Sequence, residues 1–186
     1  MHREGAAQET GNTVWDPLGL ADLGSEATLA WFRAAELKHC RVAMAAFTGW
    51  CVATGNQLAI KNGHEGFHFP GYISPFQTGT TFADIAAAGG PADQWDALPT
   101  SSKLQILGAI AFLEVCGESS YGFEQMGTKH YMRGGKPGLY PDLTKLGLPH
   151  PVPLKLWDPF GFTNKMSAEK KEKSLLAEIN NGRLAM

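Results

Sequence analysis

Charge is scarce in this chain of 186 residues: 18% are Asp, Glu, Lys or Arg, where soluble domains carry roughly 25%. Positive charge is not in excess either. With 16 Lys+Arg against 18 Asp+Glu and a net charge of −2, a nucleic-acid binder working through bulk basicity is excluded. Cysteine is sparse. Cys40, Cys51 and Cys116 form no Cys-x-x-Cys spacing and, being three, cannot all pair, so no disulfide framework is implied. A Gly-rich phosphate loop and a nucleophile–base pair are both lacking, which weighs toward a non-enzyme. No signal or transit sequence opens the chain, so a mature or trimmed product is expected. Glycine, by contrast, is plentiful at 22 residues, above the usual share of about 7%.

The scarcity of charge is uneven. Val42 to Ile60 carries none and is bracketed by Arg41 and Lys61; as a helix it would span roughly 28 Å, close to the hydrocarbon thickness of a bilayer. The run is rich in Ala, Gly, Thr and Cys, which suits close helix packing in lipid, but it contains Asn56 and Gln57. A second apolar run, Leu104 to Cys116, is shorter and holds Glu114. On hydropathy both runs fit membrane helices or buried soluble helices. Residues 61–100 and 117–160, rich in Gly, Pro and aromatics, read as ordered loops. Their histidines, His64, His68, His130 and His150, read first as surface or hydrogen-bonding residues.

What is present is an internal repeat. Trp15 to Met44 aligns without a gap on Trp157 to Met186 at a constant offset of 142 (157 − 15 and 186 − 44). Trp15/Trp157, Asp16/Asp158, Pro17/Pro159, Gly19/Gly161, Ser25/Ser167, Glu36/Glu178, Arg41/Arg183 and Met44/Met186 are identical pairs. Each copy reads as a Trp-Asp-Pro turn, a Ser N-cap with acid just after it, and a helix. Two equivalent helices related by a pseudo-twofold are expected.

Within each copy Glu and Arg stand five apart, about 140° round a helix, too far to pair comfortably on one element. Crossed pairs, Glu36 with Arg183 and Glu178 with Arg41, solve this by symmetry and keep each charge compensated in apolar surroundings. Four surface charges at helix ends is the plain alternative. His39 and Asn181 each lie three residues after the Glu and share its face. A Glu paired to Arg keeps an oxygen for a cation, and neutral His or Asn can serve as a fifth ligand. Glu-x-x-His also occurs in di-iron bundles, but Asn181 and the arginines stand where further ligands would be needed.

ELKHCRVAM and EINNGRLAM closely resemble the first and third transmembrane helices of the light-harvesting chlorophyll-binding superfamily, and WDPLGLA and WDPFGF resemble their lead-in segments. Leu104 to Glu118 sits where that family places its middle helix. HFPGYIS, GTKHYMRGGKPG and LQILGAIAFLEV look like chlorophyll a/c antennae, most like the peridinin-chlorophyll antennae of dinoflagellates, with fucoxanthin antennae next. The resemblance implies an all-α membrane protein forming a single antenna domain over residues 1–186. Its three transmembrane helices would lie at about 25–60, about 100–118 and from about 167. The first and third would cross, and the third would be cut short at Met186, the natural chain continuing for about twenty apolar residues.

By the same resemblance, Glu36, His39, Glu178, Asn181, Glu114 and Gln105 would each hold a chlorophyll magnesium, and Arg41 and Arg183 would neutralise the Glu ligands. Glu114 otherwise reads as a helix-end acid, without a local basic partner in its apolar run, and Gln105 as a side chain bonded to a neighbouring helix. Asp16-Pro17 and Asp158-Pro159 resemble turns near two central carotenoids. The implied cofactors are chlorophyll a, chlorophyll c and carotenoids, peridinin and diadinoxanthin before fucoxanthin. The implied partners are a photosystem core, neighbouring antenna subunits and thylakoid lipids, with no nucleic acid, in a multi-pass plastid thylakoid setting. The expected function is excitation transfer to a photosystem without catalysis. The alternatives are a photoprotective, energy-dissipating member of the superfamily and, from another class, a soluble helical metalloenzyme using Glu36, His39 and Glu178.

Overall fold

An aspartate, a left-handed glycine and a serine begin each copy of the repeat. In the computed structural model, residues 11, 13, 15–63, 69, 71–74, 77–145, 158 and 160–186 are described. The Asp16 carboxylate accepts from the backbone N–H groups of Leu20 at 2.9 Å and Ala21 at 2.8 Å, closing a 3₁₀ turn over Leu20–Asp22. These amides also hold the Asp16 carboxyl below its ordinary pKa, Ala21 contributing most. Asp158 repeats the arrangement with Phe162 and Thr163, both at 2.7 Å, before the 3₁₀ turn Phe162–Lys165. Gly19 at φ +64° and Gly161 at φ +69° take the left-handed conformation that a side chain would strain. The oxygens of Ser25 and Ser167 then lie 3.4 Å from the amides of Thr28 and Lys170. Helix α1 runs Glu26–Lys61 and helix α6 Ala168–Ala185, their first residues separated by the same 142.

The chain forms two compact units. The first comprises Met1–Met44 and Phe112–Met186, the second Ala45–Ala111. In the first, α1 and α6 meet at Cys40, fully buried, and Gly182. A Cβ on Gly182 would lie 2.9 Å from the Cys40 Cα and closer still to its Cβ, so only glycine permits this approach. Positions 40 and 182 are repeat equivalents, and Leu37 and Ile179, another equivalent pair, are both buried. The unit also holds the end of helix α4 (Thr100–Glu118), helix α5 (Ser120–Gln125) and the turns that follow. Tyr140 packs on Gly117 and its hydroxyl donates to the Leu113 carbonyl at 2.6 Å.

The second unit corrects the expectation of loops over 61–100 and of an all-α chain. Strands β1 (Tyr72–Ser74) and β2 (Gln77–Thr81) form an antiparallel hairpin pairing Tyr72 with Thr81 and Ser74 with Gln77. Thr81 and Asp84 then form a capping box that starts helix α2 (Phe82–Ala87). Pro91, whose φ is fixed for a first helical turn, opens α3 (Pro91–Ala97). These elements are too short for periodicity to mark them. Two amides close the unit. Asn56 Oδ1 accepts from the Phe69 amide at 3.0 Å, and the buried Gln94 donates to the Ala53 and Gly89 carbonyls, both at 3.1 Å.

The long helices α1, α4 and α6 contain 36, 19 and 18 residues, or roughly 54, 28 and 27 Å at 1.5 Å per residue. Among the described residues, no helix is both long and apolar enough to cross a membrane. The expectation of three transmembrane helices is therefore not met by hydropathy. The apolar run of α1 includes the polar Asn56 and Gln57, that of α4 includes Glu114, and α6 opens with Glu169, Lys170, Lys171, Glu172 and Lys173.

Candidate functional site

Two reciprocal ion pairs join α1 to α6. Arg41 Nε donates to Glu178 Oε1 at 2.7 Å, and Arg183 donates through Nε and Nη2 to Glu36 Oε1, both at 2.8 Å. The side chains are part-buried, from 18% exposed at Glu178 to 37% at Arg183, so these are not four free surface charges. The two halves differ in one respect. Arg33 Nη1 also donates to Glu36 Oε2 at 2.5 Å, whereas the repeat equivalent of Arg33 is Leu175. Arg41 in turn spends its Nη1 on the Gly138 carbonyl at 2.8 Å, tying the loop before Tyr140 to α1.

His39 and Asn181 are both exposed, one on each helix. The ring Nδ1 of His39 lies 2.8 Å from the Ala35 carbonyl. A carbonyl only accepts, so Nδ1 carries the hydrogen, and in the neutral ring the Nε2 lone pair is left for a ligand. Gln105 is exposed on α4 within the Ala45–Ala111 unit. Asp16 and Asp158 both cap their 3₁₀ turns, while Pro159 lies outside the described residues, as do His64, His68 and His150.

Glu114, which has no basic partner nearby in sequence, has one on another helix. Lys38 Nζ on α1 donates to Glu114 Oε2 at 2.6 Å and to Glu118 Oε1 at 2.7 Å. Glu118 Oε2 accepts from the Tyr131 hydroxyl at 2.9 Å and lies 3.1 Å from His130 Nε2. His130 stands edge-on to the buried Phe123 and stacks beside Tyr131. Burial first, and then the bond to Glu118, pushes the Tyr131 hydroxyl up from its ordinary pKa, so it stays a donor. Sequence reasoning missed Lys38, Glu118 and Tyr131. The spacing of Glu114 and Glu118, one turn apart on one face, was the available signal, but nothing local pointed to a lysine 76 residues away. Among the described residues no group of three or more His, Cys, Asp or Glu side chains is placed to hold a metal ion. The Glu36 and Glu178 carboxylates of the metalloenzyme alternative each face an arginine.

A family model described as chlorophyll A-B binding protein matches residues 2–186. The chain belongs to this family. Chlorophyll A-B binding proteins are light-harvesting antennae, and the ion-paired helices of this one are the two copies of its repeat. It is 29% identical over 171 residues to fucoxanthin-chlorophyll a-c binding protein D, chloroplastic, of Macrocystis pyrifera, which covers 92% of this chain and 73% of the relative. It is 28% identical over 172 residues to a chloroplastic fucoxanthin-chlorophyll a-c binding protein of Chattonella marina var. antiqua, covering 92% of this chain and 59% of the relative.

Proposed function

We propose that this chain is a plastid thylakoid antenna that binds chlorophyll a, chlorophyll c and carotenoids and passes excitation to a photosystem, with neighbouring antenna subunits. The observation that carries the reading is the reciprocal pairing of Glu36 with Arg183 and Glu178 with Arg41 in a chain matched by the family over residues 2–186. The donor set, carboxylate and amide oxygens with one imidazole nitrogen, fits residues that would hold the magnesium of a chlorophyll. A carboxylate has about four acceptor sites, so each paired Glu keeps capacity beyond its arginines, and the Arg keeps the unit neutral in an apolar setting. His39 is oriented by Ala35 with Nε2 outward, as a coordinating imidazole needs. Asn181, Glu114 and Gln105, all exposed oxygen donors, complete the proposed ligands.

The bound pigments supply absorption and energy transfer; the chain itself fixes ligand positions and local charge and catalyses no covalent step. Its three long helices are proposed to span the thylakoid bilayer in a multi-pass arrangement. Charges in such helices are paired or coordinated, as Glu36, Lys38, Arg41 and Glu114 are paired here. The loop motifs favour peridinin with diadinoxanthin as the carotenoids, while the two relatives are named for fucoxanthin.

Absorption of the natively purified protein, followed by pigment extraction, tests the reading. Chlorophyll a bands with chlorophyll c and one of these carotenoids are expected, and the chromatogram distinguishes peridinin from fucoxanthin. A colourless protein that stays folded without detergent overturns it. On refolding with pigments, His39→Leu should lose one chlorophyll per chain with both ion pairs kept; an unchanged pigment count removes His39 from the ligands.

A further inference from the structure

Each of the three proposed carboxylate ligands has a cation from a helix other than its own. Arg183 on α6 serves Glu36 on α1, and Arg41 on α1 serves Glu178 on α6, as the repeat requires. The third case has no symmetry behind it: Lys38 on α1 reaches Glu114 on α4 at 2.6 Å, and the repeat equivalent of Lys38 is Asn180. We infer that Lys38 is a positioning residue for Glu114, holding one carboxylate oxygen and so aiming the other as a chlorophyll ligand. The inference rests on the ligand reading of Glu114. Lys38 takes Oε2 at 2.6 Å, and a carboxylate has acceptor sites on both oxygens, so Oε1 keeps its capacity for a magnesium while the bond fixes its direction.

Lys38 is itself held. Its ammonium has three hydrogens and divides between Glu114 and Glu118, and Glu118 is anchored on its other oxygen by Tyr131 and His130. The chain from Tyr131 through Glu118 to Lys38 therefore fixes where the charge sits relative to Glu114. A lysine held only by Glu114 would keep more of its side-chain freedom. Glu118 accepts from three donors and is the anchor of this arrangement, not a ligand within it.

The test refolds the full chain with chlorophyll a, chlorophyll c and carotenoid in detergent, then reads pigment stoichiometry and low-temperature absorption. Glu114→Leu should lose one chlorophyll per chain. Lys38→Met should lose that same chlorophyll or shift its red band, and Lys38→Arg should restore both occupancy and band position. If Glu114→Leu loses the pigment while Lys38→Met keeps it with an unshifted band, the role of Lys38 is overturned and the ligand reading stands. If Glu114→Leu keeps its full complement, the ligand reading of Glu114 fails and takes the inference with it. A second measurement needs no lysine variant. Acetylation of the unsubstituted chain should modify Lys38 several-fold more slowly than Lys171, and Glu114→Gln should narrow that difference. Equal rates at Lys38 and Lys171 in the unsubstituted chain would overturn the inference.

Discussion

At the scale of single residues, the crossing of α1 and α6 depends on one missing side chain. Cys40 and Gly182 face each other as repeat equivalents, and a Cβ at 182 would stand 2.9 Å from a backbone atom, which no rotamer change relieves. Gly182→Ala should therefore destabilise the pigmented protein by about 1–3 kcal/mol through overpacking, despite the roughly 1 kcal/mol that Ala gains over Gly in a helix. The exchange double variant, Cys40→Gly with Gly182→Ala, puts the small residue on the other side of the same contact. Cys40→Gly by itself lowers helix propensity by a few tenths of a kcal/mol, so recovery over Gly182→Ala alone comes from the relieved contact, and most of the lost stability should return. Thermal melts followed by pigment circular dichroism check this; a double variant no better than Gly182→Ala alone would show that the contact is not the cause. The repeat register alone set Cys40 opposite Gly182. What it did not convey was the closeness of approach, because glycine at a helix crossing and glycine on a surface look alike in one sequence.

At the scale of elements, the crossed pairs were legible because a five-residue Glu–Arg spacing cannot close within a helix and an offset of 142 supplied the second helix. The asymmetry was not legible. Arg33 supports Glu36 at 2.5 Å beside Arg183, whereas among the described residues the ion pair at Glu178 is with Arg41. Arg41→Met should thus cost more stability than Arg183→Met, by about 1–2 kcal/mol, less than the 3–5 kcal/mol of breaking a fully buried pair because these groups are part-exposed. Arg41→Met also releases the Gly138 carbonyl. Melting of the two variants side by side measures the difference. Equal losses would mean that Arg33 does not share the load at Glu36. The contact of Lys38 with Glu114 stayed hidden for a different reason: it joins helices that no repeat relates, and single-sequence reasoning has no register between unrelated elements. The hairpin and helices α2 and α3 were missed because their cues are two- and three-residue caps inside Gly- and Pro-rich sequence.

For the whole molecule, the family match spans residues 2–186 while hydropathy finds no crossing helix among the described residues. In α1 the hydropathy of the charge-free stretch 42–60 is lowered by Thr48, Thr54, Asn56 and Gln57. Elsewhere Glu36, Lys38, Arg41 and Glu114 count as charges, yet each has an opposite charge within 2.8 Å. Many large apolar side chains are meanwhile exposed, Trp50 at 59%, Phe47 at 67% and Val115 at 72% among them. Single exposed apolar residues are ordinary, but on long helices of an antenna they are surface that pigment and lipid would cover. The chain freed of pigment should therefore associate when detergent is diluted away, read as rising light scattering and loss of the monomer peak on size exclusion. Pigment works in the opposite direction: a ligand at 100 times its dissociation constant adds about 2.7 kcal/mol to the folded state, so refolding with chlorophyll should raise the melting temperature and restore a discrete particle in detergent. A pigment-free chain that remained monomeric and helical in plain buffer would remove both the lipid-facing role of these side chains and the proposal that α1, α4 and α6 lie in the bilayer.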